Sequence, residues 1–439
     1  MPVPPGTPAL QNRGIGSTLQ ERQTHRMSKD ILVLGAGMVG VCTALALRQR
    51  GHSVVVVDRQ APGRETSYGN AGIIQREAVQ PYAFPREWTA VLRVMARQGN
   101  DVHYHPRALA GLLPALARYW HESAPSRYAA TVTAYSALIR HCLTEHERLI
   151  ALAGAQDLVS KQGWLQAYRT SAAFDREAAK AAAVSREHGL DCQILDGAAL
   201  AAAEPALHGS LAGAVHWRDP WTVADPGELV HRYAACYENA GGILSRGDAS
   251  TLKPAGSGWS VSTDDGVVTA QHAVIALGPW APALTRPLGY RIPLFVKRGY
   301  HRHYAAPAMP RLPLLDTENG LLLAPMKRGL RLTTGAEFAR HNAPPTPVQL
   351  LRAERYAGEL LQLGAPVEDT PWLGARPCVA DMRPVVGRAP RHPGLWFHFG
   401  HAHQGFTLGP ATARLLAELI DGETPYVDAR PYDPARFGN

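Results

Sequence analysis

The sequence predicts a two-domain α/β protein: a doubly wound domain built around a parallel sheet, with a mixed-sheet α+β domain inserted between its chain segments. Three observations lead there. The chain has 439 residues, 46% of them hydrophobic, and a single core seldom grows beyond roughly 250 to 300 residues. A strand, a helix and a second strand, joined by a glycine-rich turn, stand near the start. Apolar runs followed by glycine return far downstream, at 274–278 and 395–400, separated by stretches of different texture.

Residues 30–35 form a short apolar run ending in Gly35, the pattern of a parallel strand buried on both faces. Good helix formers fill 39–50 and stop at Gly51, and 52–58 is a second buried strand ending at Asp58. Composition turns helical over 86–203, with Ala/Leu/Arg stretches at 108–119 and 129–152 broken by a strand-like run at 163–168. Residues 226–240 read as a helix closed by Gly241 and Gly242, and 259–263 and 267–276 as strands leading into Gly278. Then come a strand-rich stretch at 290–338, a helix at 348–363, a buried strand at 395–399 and a final helix at 408–420. These boundaries give the first domain 28–85, 221–285 and 372–428, and the second 86–220 and 286–371. Residues 1–27, rich in Pro, Gly, Gln and Arg, read as a disordered tail, with Met27 a candidate translation start.

The net charge of +8 comes from scattered Lys and Arg, without the clustered basic patch of a nucleic-acid binder. Mild positive charge suits an anionic cofactor and a carboxylate substrate. No apolar run approaches the roughly 18 residues of a membrane span, and 1–26 lacks the apolar stretch of a secretory signal. The 5 cysteines are odd in number and form no CxxC, so neither a disulfide framework nor a zinc site is indicated. The expected location is the cytoplasm, with peripheral contact at the inner face of the membrane left open.

Gly35-Ala36-Gly37-Met38-Val39-Gly40 has the form GxGxxG between a strand and a helix. Gly35 makes the tight turn, Gly37 admits a pyrophosphate close to the backbone, and Gly40 lets helix and strand pack. The free N–H groups at the helix start, around Met38 and Val39, face the diphosphate. Asp58, followed by Arg59, ends the second strand where a carboxylate accepts from ribose hydroxyls and repels a 2′-phosphate. A glycine-rich structural turn is the plainer alternative; the strand, the helix and Asp58 together favour a dinucleotide.

Further along stands Glu65-Thr66-Ser67-Tyr68-Gly69-Asn70-Ala71-Gly72. The Thr66 and Ser67 hydroxyls suit diphosphate oxygens, and Asn70, Ala71 and Gly72 let backbone approach a flat ring. This run resembles the flavin-contacting stretch of the D-amino acid oxidase-like superfamily, and its wording is most similar to the bacterial D-amino acid dehydrogenase branch. The resemblance implies the D-amino acid oxidase-like fold, a Rossmann-like FAD-binding domain with the inserted domain binding substrate. With no His or Cys at 62–75, where some relatives attach flavin covalently, the expected FAD is non-covalent.

A second block, Gly374-Ala375-Arg376-Pro377 through Asp381, Pro384 and Gly387, is similar to a further motif of the family and implies that Arg376 grips the substrate carboxylate. A planar guanidinium pairs with a carboxylate in a way Lys cannot. A third block runs Gly400-His401-Ala402-His403-Gln404-Gly405-Phe406-Thr407 into the last helix. By resemblance it brings backbone and a helix N-terminus to the pyrimidine edge of the flavin, where a helix dipole stabilises the reduced state. His401 and His403 then line the flavin site or the substrate pocket. A metal at His398, His401 and His403 is not expected, because a strand splits these side chains between faces and no acid or Cys partner clusters nearby. Gly278 is expected beside the cofactor, and Tyr300 is a candidate hydrogen-bond partner of substrate, though a satisfied strand tyrosine explains it too.

The family pattern is not met everywhere. Leu322-Leu323-Ala324-Pro325-Met326 replaces the oxidase branch's Tyr before Val-Pro-Arg, leaving a second carboxylate partner unassigned. Residues 73–79, Ile-Ile-Gln-Arg-Glu-Ala-Val, replace the dehydrogenase branch's usual wording. The implied reaction is oxidative deamination of a D-amino acid, by hydride transfer from Cα to flavin N5, giving an imino acid and then a 2-oxo acid. A secondary amino acid (D-hydroxyproline, D-proline, glycine or sarcosine) is the alternative within the class. An NAD-dependent dehydrogenase and a flavoprotein electron-transfer subunit are the alternatives outside it. The implied partners are the amino acid and an electron acceptor: a quinone, a carrier or oxygen.

Overall fold

The computed structural model describes residues 28–95 and 99–438; the tail expected at 1–27 lies outside the described residues. The first sheet has eight strands and draws its parallel centre from distant parts of the chain. Ser53–Asp58 and His272–Ile275 flank Asp30–Leu34 in parallel. Ile243–Ala255 and Leu395–Phe399 extend the parallel set on either side. Alternate residues of the first strand point to opposite faces. Ile31 and Val33 join a core with Val41, Leu45, Phe406 and Leu408, whereas Leu32 and Leu34 join Trp259, Val261, Tyr290 and Phe397 on the other side. Burial on both faces is why these strands are continuous apolar runs. The helices Met38–Gln49 and Gly405–Asp421 pack so closely that a Cβ on Gly409 would lie 2.8 Å from Met38 Cγ.

The second sheet has ten strands, mixed in direction. Its spine is Leu294–Tyr304, paired with Gly329–Thr334 on one side and, along its length, with Trp372–Val379. The sequence reading assigned 372–379 to the first domain; the strand instead belongs to the larger sheet. Its two faces explain the ambiguity. Ala375 and Val379, with Leu294 and Val296, pack into the core of the first sheet, while Arg376 and Cys378 point the other way.

A small three-stranded sheet, Ile73–Ile74 with Trp221–Val223 and Val159–Ser160, ties the halves together. The helical stretch expected over 86–203 is present, but two of its helices, Pro125–Ile139 and Cys142–Leu152, do not cover the second sheet. Leu138 and Leu149 pack with Leu415 and Leu416 of the last helix, and Arg414 bridges to Glu145 at 2.8 Å. Among the described residues no helix is long and apolar enough to cross a membrane.

Candidate active site

The three glycines of the first turn are there for different reasons. Gly35 has φ +111°, and a Cβ on it would lie 2.6 Å from the Ala276 carbonyl oxygen; a Cβ on Gly40 would collide with the Gly35 carbonyl. Those two are fixed by the chain's own packing. Gly37 is not: a Cβ there would meet only Ser67 Oγ, at 3.3 Å. Its missing side chain keeps space open at the start of Met38–Gln49, a helix whose N-terminus has no side-chain cap. Open space at uncapped N–H groups is what a diphosphate requires.

Ser67 Oγ accepts from the Met38 N–H at 3.0 Å, which leaves its own proton to donate into that space. Asp58 accepts from the N–H groups of Ala36 at 2.7 Å and Gln60 at 2.9 Å, and a carboxylate has lone pairs left for ribose hydroxyls. Arg59 stacks 4.6 Å above the Trp280 ring and pairs with Glu65 at 2.8 Å. Thr66 lines the same space. Its hydroxyl donates to the Ala375 carbonyl at 3.0 Å, so it fastens this loop to the strand of Arg376. Asn70 Oδ1 accepts from the Gly72 N–H at 2.8 Å. The carbonyls of Tyr68 and Asn70 accept from the guanidinium of Arg331, a buried clamp that sequence reasoning missed; burial lowers its pKa to about 10.

A second helix N-terminus faces the same cavity. Gly405 opens Gly405–Asp421, again without a side-chain cap, and a Cβ on it would meet only His401 Cβ at 3.5 Å and Val39 Cγ2 at 3.8 Å. One cavity of about 1440 Å³ runs from Gly35, Gly37, Met38, Val39, Asp58 and Arg59 past Ser67, Asn70, Ala71 and Gly278 to Gly400, His401, His403, Gly405, Phe406 and Arg376. That exceeds the roughly 300 to 1,000 Å³ of an ordinary small-ligand pocket, so a dinucleotide and a small substrate fit together. Gly40, Gly72 and Thr407 do not reach its wall. Gly72 abuts the Val223 carbonyl, and Thr407 Oγ1 accepts from the Gln75 N–H at 3.1 Å; they shape the wall from behind.

At the far end, Arg376 donates to the carbonyls of Gly335 at 3.1 Å and Thr334 at 3.4 Å. Among the described residues it has no Asp or Glu partner. Burial lowers its pKa, and the titratable groups beside it, Cys378 and Tyr82, are themselves kept protonated by burial. His403 faces Arg376 and Lys297; burial first, then those two cations, push its pKa down to about 3, so the ring is neutral. It lies 4.9 Å from the ring of Tyr82. His401 is held to about 3 by burial alone and shares a hydrogen bond with Thr412 Oγ1 at 3.0 Å.

Tyr300 reaches the cavity wall, and its hydroxyl has partners within the protein. Its hydroxyl donates to Glu337 at 3.3 Å and accepts from the Thr346 N–H at 2.7 Å, so no proton is left for substrate. Lys297, Gly299 and Tyr300 all reach the cavity wall, but on a strand of period two the Tyr300 side chain leaves on the face opposite to Lys297, with its hydroxyl on Glu337. Glu337 also comes within 4.8 Å of ligand atoms of His103 and His105, but its carboxylate is already neutralised by Arg298 at 2.6 Å.

A further network was not foreseen. Glu77 accepts from Trp164 Nε1 at 2.9 Å and from Gln75 Nε2 at 2.9 Å, and Gln75 Oε1 accepts from Gln404 at 2.7 Å. Burial pushes Glu77 up to about 7.

With this geometry in hand, the comparisons with known proteins agree. A profile of the family described as FAD dependent oxidoreductase matches residues 30–419. A D-amino-acid oxidase of Bradyrhizobium diazoefficiens is 29% identical over 424 residues, 93% of this chain and 99% of that protein. A D-amino acid dehydrogenase of Cereibacter sphaeroides is 32% identical over 424 residues, covering 93% and 95%. Among solved structures, glycine oxidase from Geobacillus kaustophilus has a TM-score of 0.69 at 22% identity, covering 93% of this chain and 99% of that one. The L-amino acid deaminase from Proteus vulgaris has a TM-score of 0.70 at 17% identity, covering 93% and 97%. The resemblance read from the three motifs is therefore borne out, and an NAD-dependent dehydrogenase is set aside. The chain belongs to the FAD-dependent oxidoreductase family, and FAD is its cofactor.

Proposed function

We propose that this enzyme oxidises a D-amino acid across its Cα–N bond, the product imino acid then hydrolysing to a 2-oxo acid and ammonia. The observation that carries the reading is Arg376, a guanidinium on the cavity wall whose partners among the described residues are two backbone carbonyls. A cation withdrawn from water without a counter-ion is costly, and a substrate carboxylate supplies the counter-ion. The D configuration is supported by the names of the relatives at about 30% identity.

Bound FAD supplies the hydride acceptor. Gly35, Gly37, Met38, Asp58 and Ser67 would hold its ADP half, and the segment from Gly400 to Gly405 its flavin end. Arg376 fixes the carboxylate and with it the direction of the Cα–H bond. The amine reacts as its free base, and the His403 ring, which burial and the two neighbouring cations hold neutral, adds no further positive charge beside it. The apolar wall of Phe295, Phe338 and Tyr119 excludes water. The reading places FAD with the first sheet and substrate against the second.

We further infer that electrons leave to a membrane quinone while the enzyme rests peripherally on the membrane. The exposed Trp88 and Leu92, on a helix whose Val91 and Val94 line the cavity, support this. The test of the main reading is anaerobic: FAD-loaded protein should lose its flavin absorbance on adding D-amino acids and keep it with the L-enantiomers. If no D-amino acid bleaches it, the reading is wrong.

A further inference from the structure

Lys297 sits directly opposite Arg376 in the antiparallel pairing of Leu294–Tyr304 with Trp372–Val379, so the two side chains share one face of the sheet. Both line the cavity. They diverge along it. The Arg376 guanidinium passes over Gly299, where a Cβ would lie 2.6 Å from Nη2, toward Thr334 and Gly335. The Lys297 ammonium lies 4.8 Å from the Tyr119 ring, 5.6 Å from Phe338 and 5.7 Å from Phe295. Its hydrogen-bond partner is the Tyr119 hydroxyl, at 3.4 Å.

Among the described residues Lys297, like Arg376, pairs with no Asp or Glu. Glu337, paired across the strands with the adjoining Arg298, is engaged with that residue at 2.6 Å. Burial lowers the Lys297 pKa, and Arg376 adds to the effect. The three rings favour the charged ammonium over the neutral amine. An α-carboxylate on Arg376 leaves this second cation unanswered, and a monocarboxylic amino acid would bring its own ammonium into a site already positive.

We infer that the preferred substrate carries a second acidic group on a short side chain, an acidic D-amino acid such as D-aspartate or D-glutamate, with that carboxylate on Lys297. This rests on reading Arg376 as the clamp for the α-carboxylate. The methylene stem packs against Phe295 and Phe338, and each cation then has one anion.

The test uses the FAD-loaded full chain and unreactive probes, with dissociation constants read from perturbation of the flavin spectrum. Succinate and glutarate should bind at least about tenfold more tightly than propionate and butyrate, the scale of one charge-assisted hydrogen bond. Lys297→Met should abolish that gap and Lys297→Arg should keep it. The ratio of kcat/KM for D-glutamate over D-norvaline should fall by a similar factor in Lys297→Met. Equal binding of mono- and dicarboxylates by the unaltered enzyme overturns the inference and needs no variant. So does a gap that survives Lys297→Met, and if the flavin potential shifts in that variant, Lys297 is assigned to the flavin instead. If the gap is present and lost with Lys297 but no D-amino acid bleaches the flavin, the dicarboxylate site stands and the proposed reaction falls.

Discussion

Gly299 gives Arg376 its place: the guanidinium lies over the glycine on the neighbouring strand, and a Cβ there would come 2.6 Å from Nη2 and 3.0 Å from Cζ. Gly299→Ala should therefore swing the guanidinium off the Thr334 and Gly335 carbonyls. We expect KM for D-amino acids to rise about tenfold, with FAD content unchanged. Arg376→Met, which removes the charge, should lower kcat/KM by about 100-fold or more, and Arg376→Lys should recover little of it because the paired geometry is lost. Steady-state kinetics on the three variants decide; an Arg376→Met enzyme with unaltered KM would remove Arg376 from substrate binding.

Gly37 and Gly40 should respond differently to the same added methyl group. The Cβ of Gly37→Ala enters only the open cradle, so the protein should fold and melt nearly as before while FAD binds roughly 5- to 100-fold more weakly, the scale of an overpacked contact. Gly40→Ala collides with the Gly35 carbonyl and should lose stability and yield. Gly405→Ala should resemble Gly37→Ala. Melting temperature compared with the fraction of protein holding flavin separates the two classes, and a Gly37→Ala protein fully loaded with FAD would contradict the cradle.

Glu77 should impose a pH dependence of known sign. Its pKa is raised from 4.5 to about 7 by burial, so between those values the folded protein keeps a proton that the unfolded chain has released. Stability contributed by this group falls as pH rises through that window. The full difference above it is on the order of 3 kcal/mol. The buried histidines act in the opposite sense: His401 and His403, lowered from 6.5 to about 3, lose stability as pH falls below 6.5. The difference between Glu77→Gln and the unaltered protein isolates the carboxyl. The variant should be the more stable of the two at pH 8, with the gap closing toward pH 5. Denaturant unfolding across pH measures it.

How legible this was from sequence depended on whether the information was local. The turn from Gly35 to Gly40, its helix and Asp58 are contiguous, and turn chemistry plus periodicity reproduces their geometry. Lys297 and Arg376 lie far apart in the chain, and only the strand register brings them face to face. The same register decides Tyr300: the residue number alone offers a tyrosine near Lys297, but alternation sends its hydroxyl to Glu337. Thr66 suits phosphate by its hydroxyl and Thr407 belongs to the flavin block by resemblance, and neither reading reveals that each hydroxyl also bonds backbone groups of another segment. Glu77 sits within a run that departs from the family wording, and its link through Gln75 to Gln404 exists only once the small sheet and the last helix are in place.

The membrane contact can be tested on one helix. In Trp88–Met95, Trp88 and Leu92 are one turn apart and 79% and 61% exposed, while Val91 and Val94 turn toward the cavity. The next helix, Pro106–Glu122, adds Leu113 and Trp120, 60% and 45% exposed, two turns apart on one face. Arg86 caps the Trp120 ring at 4.1 Å, so a cation accompanies the apolar side chains. Burying each of the large side chains in a membrane interface contributes about 1.5 to 3 kcal/mol, and arginine favours anionic headgroups. The enzyme should therefore sediment with anionic phospholipid vesicles more than with neutral ones. Trp88→Ser with Leu92→Ser should weaken that binding at least about tenfold while leaving flavin bleaching by substrate intact. Because the helix has its other face in the cavity, the double variant should also slow reoxidation by a vesicle-embedded quinone more than reoxidation by a water-soluble dye. Equal slowing of both, or no vesicle binding by the unaltered enzyme, would mean that the apolar helix has another occupant.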